Sequence, residues 1–397
     1  MSESPTHPVK GIRLASAAAG IRYPDRDDLV VIEMAADSNC AAVFTTNAFC
    51  AAPVVLAKQH LAAVMPRYLL INSGNANAGT GDAGLQAARE TCQSLATAAG
   101  CDINRVLPFS TGVIGEDLPA ERFAAAMPAL LDGLGEEGWR RAAQAIMTTD
   151  TVPKLASREV DIDGGKVTVT GICKGSGMIR PDMATMLAFV ATDASVPEAL
   201  LQATLQQAVE PSFNSITVDG DTSTNDACVL IASGAGDVVI NRDNSAAFLS
   251  VVREVCMELA RAIVRDGEGA TKLVEIQVES AATLQEAKDV AYTIAHSPLV
   301  KTALFASDPN WGRILAAVGR AGIDNFEIDK VRIWLDDLSI VTCGGRDPGY
   351  REEAGQQVMN QSELTIRVDL GRGAHSTTIL TCDLSYDYVK INAEYRT

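Results

Sequence analysis

The stretch richest in possible chemistry runs Lys174-Gly175-Ser176-Gly177-Met178-Ile179-Arg180-Pro181-Asp182-Met183-Ala184-Thr185-Met186-Leu187. A glycine-rich segment passes through a proline into an apolar run. Thr185 heads that run, behind the small Ala184. On pattern alone this reads as a loop that binds a substrate or phosphate and then enters a strand. Gly-x-Gly beside a lysine lacks the full P-loop or dinucleotide fingerprint, and threonine at a strand start is commonplace. Ser110-Thr111-Gly112 ends another short apolar run, where a threonine can close an ST-turn or donate a hydrogen bond. Glu268 lies in a glycine-flanked loop, where a carboxylate is either solvated or holds a ligand.

Other chemistries find less support. The four histidines, His7, His60, His296 and His375, are far apart and none sits in a metal-ligand motif. Nine scattered cysteines without a C-x-x-C argue against a disulfide scaffold and for a reducing compartment. A net charge of −17 opposes binding to nucleic acid or to an anionic membrane surface. No run of 18 or more apolar residues is present to span a membrane. The first residues lack the apolar core of a secretory signal, so a cytoplasmic enzyme is expected.

The elements that must position these residues follow from periodicity. Residues 11–72 read as short strands, among them 29–34, 41–44 and a buried strand at 67–72. That strand runs into a small, polar, glycine-bearing loop at 73–81. Leu85, Ala88, Cys92 and Leu95 recur at three and four, which predicts a helix over 82–98. Helices are also predicted over 119–133, 137–147, 197–208, 246–266 and 284–296, and strands over 106–110, 187–192, 228–232 and 274–278. A hairpin over 155–170 turns at Asp163-Gly164-Gly165. The last hundred residues read as strand-rich, with strands at 331–334, 364–368 and 377–383. Strands and helices mix without strict βαβ alternation, so a layered α/β or α+β fold is favoured over a Rossmann fold or a TIM barrel.

The Lys174–Leu187 stretch resembles the signature of the ornithine acetyltransferases, also called glutamate N-acetyltransferases, of arginine biosynthesis. Further segments carry the same resemblance in order. They are Asn72-Ser73-Gly74-Asn75-Ala76-Asn77-Ala78, Ser110-Thr111-Gly112-Val113-Ile114-Gly115 and Ile146-Met147-Thr148-Thr149-Asp150-Thr151. The next are Ser212-Phe213-Asn214-Ser215-Ile216-Thr217-Val218-Asp219-Gly220-Asp221 and Asp266-Gly267-Glu268-Gly269-Ala270-Thr271-Lys272. The last are Ser307-Asp308-Pro309-Asn310-Trp311-Gly312-Arg313 and Ile391-Asn392-Ala393-Glu394-Tyr395-Arg396-Thr397. The resemblance covers essentially the whole chain.

This resemblance implies a self-processing acyltransferase. The chain is cut between Ala184 and Thr185, and Thr185 becomes both nucleophile and N-terminus, with its own amine as base. Thr111 and Gly112 match the family's oxyanion hole. Thr151, Lys174, Thr185, Glu268, Asn392 and Thr397 match its substrate-binding residues. The implied reaction moves an acetyl group from N2-acetylornithine to glutamate without a cofactor, and some members also use acetyl-CoA. No metal role is implied, so Asp219 and Asp221 are expected in a hydrogen-bonded turn. Asp308, Asn310 and Arg313 are expected to be structural, with Trp311 a buried anchor, and Tyr386, Tyr388 and Tyr395 to pack the C-terminal segment. The implied fold is an αββα-type sandwich with a smaller second domain. The pieces 1–184 and 185–397, an α and a β chain, would share one core and assemble as two α and two β chains. The rival readings are a self-cleaving amidohydrolase of related aminopeptidase fold and a non-catalytic amino-acid-binding protein.

Overall fold

In the computed structural model, which describes residues 5–180 and 186–394, every residue of Leu29–Met34 is buried. So is every residue of Leu187–Thr192. Runs of this kind, apolar but for Glu33 and Thr192, mark strands with both faces covered, which have no solvated face on which to place polar residues. The chain divides into two units. The first is the chain up to Asn214 with Asp221–Ile263, and the second is Ser215–Gly220 with the chain from Val264.

The first unit contains β1 (Ile12–Ala17), β2 (Leu29–Met34), β3 (Asn39–Phe44), α1 (Ala52–Ala63), β4 (Tyr68–Asn75), α2 (Gly81–Ala99) and β5 (Val106–Val113). It continues through α3 (Ala120–Asp132), α4 (Trp139–Ala145), β6 (Lys154–Ile162), β7 (Gly165–Lys174), β8 (Leu187–Thr192), α5 (Glu198–Val209) and β9 (Ala227–Ala232), and opens α6 (Ser245–Arg265). Two sheets result, ordered β1-β2-β4-β5 and β3-β9-β8-β7-β6. Val30, Ile32, Ile71 and Phe109 of the first sheet meet Ile172, Leu187, Phe189 and Val229 of the second in one core. Phe109 and Phe189 stand edge to face with ring centroids 5.1 Å apart, worth about 0.5–1.5 kcal/mol beyond their burial.

Alternate residues of the first sheet, Leu29, Val31, Leu70 and Val106, turn to the other side and pack with Cys92 and Leu95 of α2 and Phe123 and Met127 of α3. The second sheet backs onto α6. A Cβ added at Gly171 of β7 would lie 3.1 Å from Leu259 and 3.3 Å from Val255. The unit is therefore a layered α/β fold, as the mixed pattern predicts. The β6–β7 hairpin turns at Asp163 and Gly164, with φ of 55° and 79°, the paired positive values that favour Asp-Gly in a two-residue turn.

The second unit contains β10 (Leu273–Ala281), α7 (Leu284–Ala295), α8 (Pro298–Phe305), α9 (Trp311–Gly319), β11 (Arg332–Leu335) and β12 (Leu338–Thr342). It ends with β13 (Gly345–Arg346), α10 (Glu352–Met359), β14 (Glu363–Asp369), β15 (His375–Cys382) and α11 (Tyr386–Glu394). Its sheet runs β13-β12-β11-β14-β10-β15. Val274, Ile276 and Val278 of β10 pack there with Val290, Ala291 and Ile294 of α7. No helix among the described residues is long and apolar enough to cross a membrane.

Four expectations change. Residues 11–72 include the helix α1, whose apolar residues surround it instead of forming a stripe and whose Pro53 sits in the first turn, so no helical period shows. The strand-rich last hundred residues also contain α8 to α11, each eight or nine residues long and too short for a clear period. Trp311 is only half-buried. It rests on the second core as the first residue of α9, while the Asn310 side chain caps that helix through the Arg313 N–H. Tyr386 is exposed, at 83 %. It meets only the edge of Phe305 among the described rings, because α11 buries none of its described residues. Tyr395 lies outside the described residues.

The face-to-face packing of the two sheets makes one expectation measurable. Phe189→Ala should cost about 3–5 kcal/mol, read as a lower urea midpoint with an unchanged slope.

Candidate active site

β4 and β5 run parallel with Ser73 opposite Thr111 and Gly74 opposite Gly112. The two strands approach so closely there that a Cβ on Gly112 would lie 2.2 Å from the Gly74 carbonyl carbon and 2.5 Å from Asn75 N. Gly112 also has φ of +134°, a conformation that side chains resist. Glycine is thus the residue this position accepts, and Thr111 is held, buried, immediately before it.

The polar residues around these strand ends are tied inward. Ser110 Oγ donates to Asn72 Oδ1 at 2.6 Å, and Asn72 Nδ2 donates to Asn75 O at 2.8 Å. Asn75 Nδ2 donates to Glu116 O and Asp117 O, and Ser73 Oγ to Ala145 O. The start of β9 closes on the same point. Asn225 Nδ2 donates to Ala76 O at 2.6 Å and to Ser110 O at 3.0 Å. Two residues on, Ala227 N–H donates to Met186 O at 2.9 Å. The residue before Thr111 and the residue after Thr185 are therefore both fastened to one short segment.

Lys174 ends β7 opposite Leu187. The glycine segment after it is anchored by Asp150, a fully enclosed carboxylate. Asp150 Oδ1 accepts from Lys154 Nζ and from Gly175 N–H, both at 2.7 Å, and Oδ2 accepts from Thr148 N–H at 3.1 Å. Thr149 and Ser176 hydroxyls pair at 2.7 Å. Thr151, one residue after Asp150, is exposed on that anchored segment. Burial works to push the Asp150 carboxyl up, but the Lys154 and Lys174 ammonium groups and the Gly175 N–H together hold it below the usual range.

In the second unit Glu268 is buried and its Oε2 accepts from Asn392 Nδ2 at 2.7 Å. Two features place it. Asp383 clamps the end of its loop by accepting from Thr271 N–H, Thr271 Oγ1 and Lys272 N–H at 2.6–2.8 Å. Gly269, with φ of +67°, lies so near the start of α11 that a Cβ would be 2.5 Å from Tyr388 N. Asn392 lies on that helix. In the same unit Asp219 accepts from the Tyr388 hydroxyl at 3.4 Å.

The structure thus gathers Thr111 and Gly112 at the β9 start, Thr151 and Lys174 around Asp150, and Glu268 with Asn392. Ala184, Thr185 and Thr397 lie outside the described residues. Sequence reasoning passed over Asp150, Lys154 and Asn225. The Asp150–Lys154 pair carries an i, i+4 opposite-charge spacing, and Thr224-Asn225-Asp226 places polar residues directly before an apolar strand; both signals are weak alone.

Comparison with known proteins gives one consistent result. The model of the ArgJ family matches residues 13–397. The chain is 60% identical over 393 residues to the arginine biosynthesis bifunctional protein ArgJ of Methylococcus capsulatus, covering 98% of this chain and 96% of that one. It is 55% identical to the protein of the same name from Pseudomonas syringae pv. tomato, covering 98% and 97%. The crystal structure of the arginine biosynthesis bifunctional protein from Bacillus halodurans is 41% identical with a TM-score of 0.50, covering 53% of this chain and all of that one.

The Asp150–Lys154 pair yields a prediction in stability and in pH. Asp150→Ala removes the carboxylate bonded to the buried Lys154 ammonium and should cost about 3–5 kcal/mol by urea unfolding, most of it recovered when Lys154→Met is added. A carboxyl lowered in the fold contributes fully above its unfolded pKa of about 3.9 and loses that contribution as pH falls through its lower folded value. The stability gap between wild type and Asp150→Ala should therefore hold from pH 7 to about 5 and close only in stronger acid.

Proposed function

The chain belongs to the ArgJ family, and from that membership we propose that Thr185, freed by self-cleavage of the Ala184–Thr185 bond, is the nucleophile of its acetyl transfer. The chain is a glutamate N-acetyltransferase of arginine biosynthesis. The observation that best supports the residue assignment is the fastening of Ser110 and Met186 to Asn225–Ala227, since these neighbour Thr111 on one side and Thr185 on the other.

In the precursor, Thr185 Oγ attacks the Ala184 carbonyl and water hydrolyses the resulting ester. The new α-amine, with a pKa of roughly 7.7–8.0, is a base at neutral pH, which relieves the site of any need for histidine. Thr185 Oγ then takes the acetyl group of N2-acetylornithine and ornithine leaves. Glutamate attacks the acetyl-threonine and departs as N-acetylglutamate. The Thr111 hydroxyl and the Gly112 N–H serve the oxyanion at each tetrahedral stage, where one donor is worth about 2.7–4 kcal/mol.

Lys174 pairs with a substrate α-carboxylate. Glu268, steadied by Asn392, takes the ornithine ammonium. Thr151 and Thr397 complete the binding set. The acetylornithine route needs no cofactor, and acetyl-CoA is a second donor in keeping with the relatives' bifunctional name. The two products of cleavage, 1–184 and 185–397, stay paired through the β7–β8 and β3–β9 ladders, and two such pairs form the working assembly. The nine cysteines are all free thiols, which suits a reducing cytoplasm.

Intact mass under denaturing conditions tests the nucleophile. Wild type should give two pieces of roughly 19 and 22 kDa in proportion to their lengths, and Thr185→Ala one chain of 41.9 kDa. A folded, uncut wild type that still transfers acetyl would remove the free-amine mechanism. Ornithine release that is indifferent to glutamate would favour hydrolysis over transfer. Thr111→Ala should lower kcat about 10²–10³-fold in cleaved enzyme; an unchanged kcat would take Thr111 out of the oxyanion hole.

A further inference from the structure

One carboxylate joins two segments that carry binding residues of the proposed site. Asp150 directly precedes Thr151, and Gly175, whose N–H it accepts at 2.7 Å, directly follows Lys174. The same side chain accepts from Thr148 N–H at 3.1 Å, which closes its own turn, and from Lys154 Nζ at 2.7 Å. Lys154 opens β6 opposite Cys173, the residue before Lys174. The Thr149 and Ser176 hydroxyls, 2.7 Å apart, tie the two segments a second time. None of the Asp150 hydrogen bonds goes to Lys174, whose charge reaches the carboxylate through space, so its ammonium is not committed to Asp150. Three donors converge on this carboxylate, and only a group with no hydrogens of its own can accept from all of them. Stability gives little reason for the arrangement, because an apolar pair of the same volume is often as stable as a buried ion pair. Its placement gives a better one. Two of the three donors are main-chain N–H groups, one on each segment, so a single short side chain fixes backbone to backbone.

We propose that Asp150 is the positioning residue for Lys174: it fixes the strand end on which the lysine stands relative to Thr151, and so sets how tightly the site takes the α-carboxylate that N2-acetylornithine and glutamate share. This rests on the substrate role given to Lys174 above. Asp150 acts through the place of the lysine and not by touching substrate. Its loss therefore weakens the hold on both substrates alike, before and during the reaction, which raises KM and leaves kcat nearly unchanged. The oxyanion donors assigned to Thr111 and Gly112 stand on β5, away from the β6–β7 end that Asp150 ties.

The test reads steady-state kinetics for N2-acetylornithine and glutamate in fully cut enzyme, with urea unfolding beside them. Two double variants remove the buried charge pair as a unit. Asp150→Asn with Lys154→Met keeps a side-chain oxygen for the Gly175 N–H, and Asp150→Val with Lys154→Met does not. Both should unfold near the wild-type urea midpoint. The first should hold both KM values within about threefold of wild type, and the second should raise them at least about tenfold with kcat within about threefold. Lys174→Ala should raise the same KM values, and adding it to the second double variant should give much less than the product of the two effects. Wild-type KM values in the second double variant overturn the proposal, as do equal losses in both double variants or effects that multiply in full. A second double variant that stays uncut or unfolded overturns it as well, since it assigns the pair to processing or to folding. A Lys174→Ala enzyme with wild-type KM values sinks the substrate role of Lys174 itself, and is told apart because Asp150 is intact there.

Discussion

Two sheets packed face to face keep their strand ends on separate rims, and the side-chain amide of Asn225 is what joins them. Its two hydrogens go to main-chain carbonyls at Ala76 and Ser110, both on the rim of the first sheet, while its own chain continues into β9 of the second. Both acceptors are main-chain carbonyls beside the point where β4 and β5 come closest, at Gly74 and Gly112. A buried carbonyl left unpaired there would be costly, so the tie is enforced from both sides. The position of Thr111 relative to β8 then follows from the backbone and not from any long, adaptable side chain. Reactive groups need such short, stiff supports.

The scaffold was largely legible because its strongest signals are local. Alternate burial of Leu29, Val30, Val31 and Ile32 on opposite faces gives an apolar run that is hard to mistake. The Asp163-Gly164 turn follows from the two left-handed residues it needs. The short helices of the second unit were not legible, since two turns offer too few residues for a period. The candidate site divides in the same way. Gly112 has a mechanical reason that the structure supplies and the sequence hides, namely the carbonyl of Gly74 lying where its Cβ would be. Thr185 was visible only through the resemblance of the whole stretch to a family, because one hydroxyl before an apolar strand has no pattern of its own. Asn225 and Asp150 act through partners 115 and 25 residues away, and no local pattern encodes that.

Buried charge is handled in two opposite ways within one unit. Asp150 is given an ammonium and two main-chain N–H groups, and it stays ionised and anchors the glycine segment beside Lys174. Asp226 is given the Ser223 hydrogen bonds and the charge of Lys174, which do not offset its burial, and its carboxyl is pushed well above the usual range. The two carboxyls start from the same chemistry, and the number of donors around each decides its state.

The antiparallel ladder from Lys174–Leu187 to Val169–Thr192 joins residues on opposite sides of the Ala184–Thr185 bond. In the uncut chain those strands are near neighbours and find each other at the concentration set by a short loop. With the cleavage proposed above, the same ladder would belong to two molecules, and so would the β3–β9 ladder. A protein matured in that way would lose the tether that guided the formation of both ladders. Two separated pieces would have to meet by diffusion, each carrying exposed strand edges that invite mispairing. Its persistence would then depend on how slowly it opens and not on how well it could reassemble: such a cut would write a direction into the life of the molecule, with assembly possible in the uncut form and only endurance afterwards.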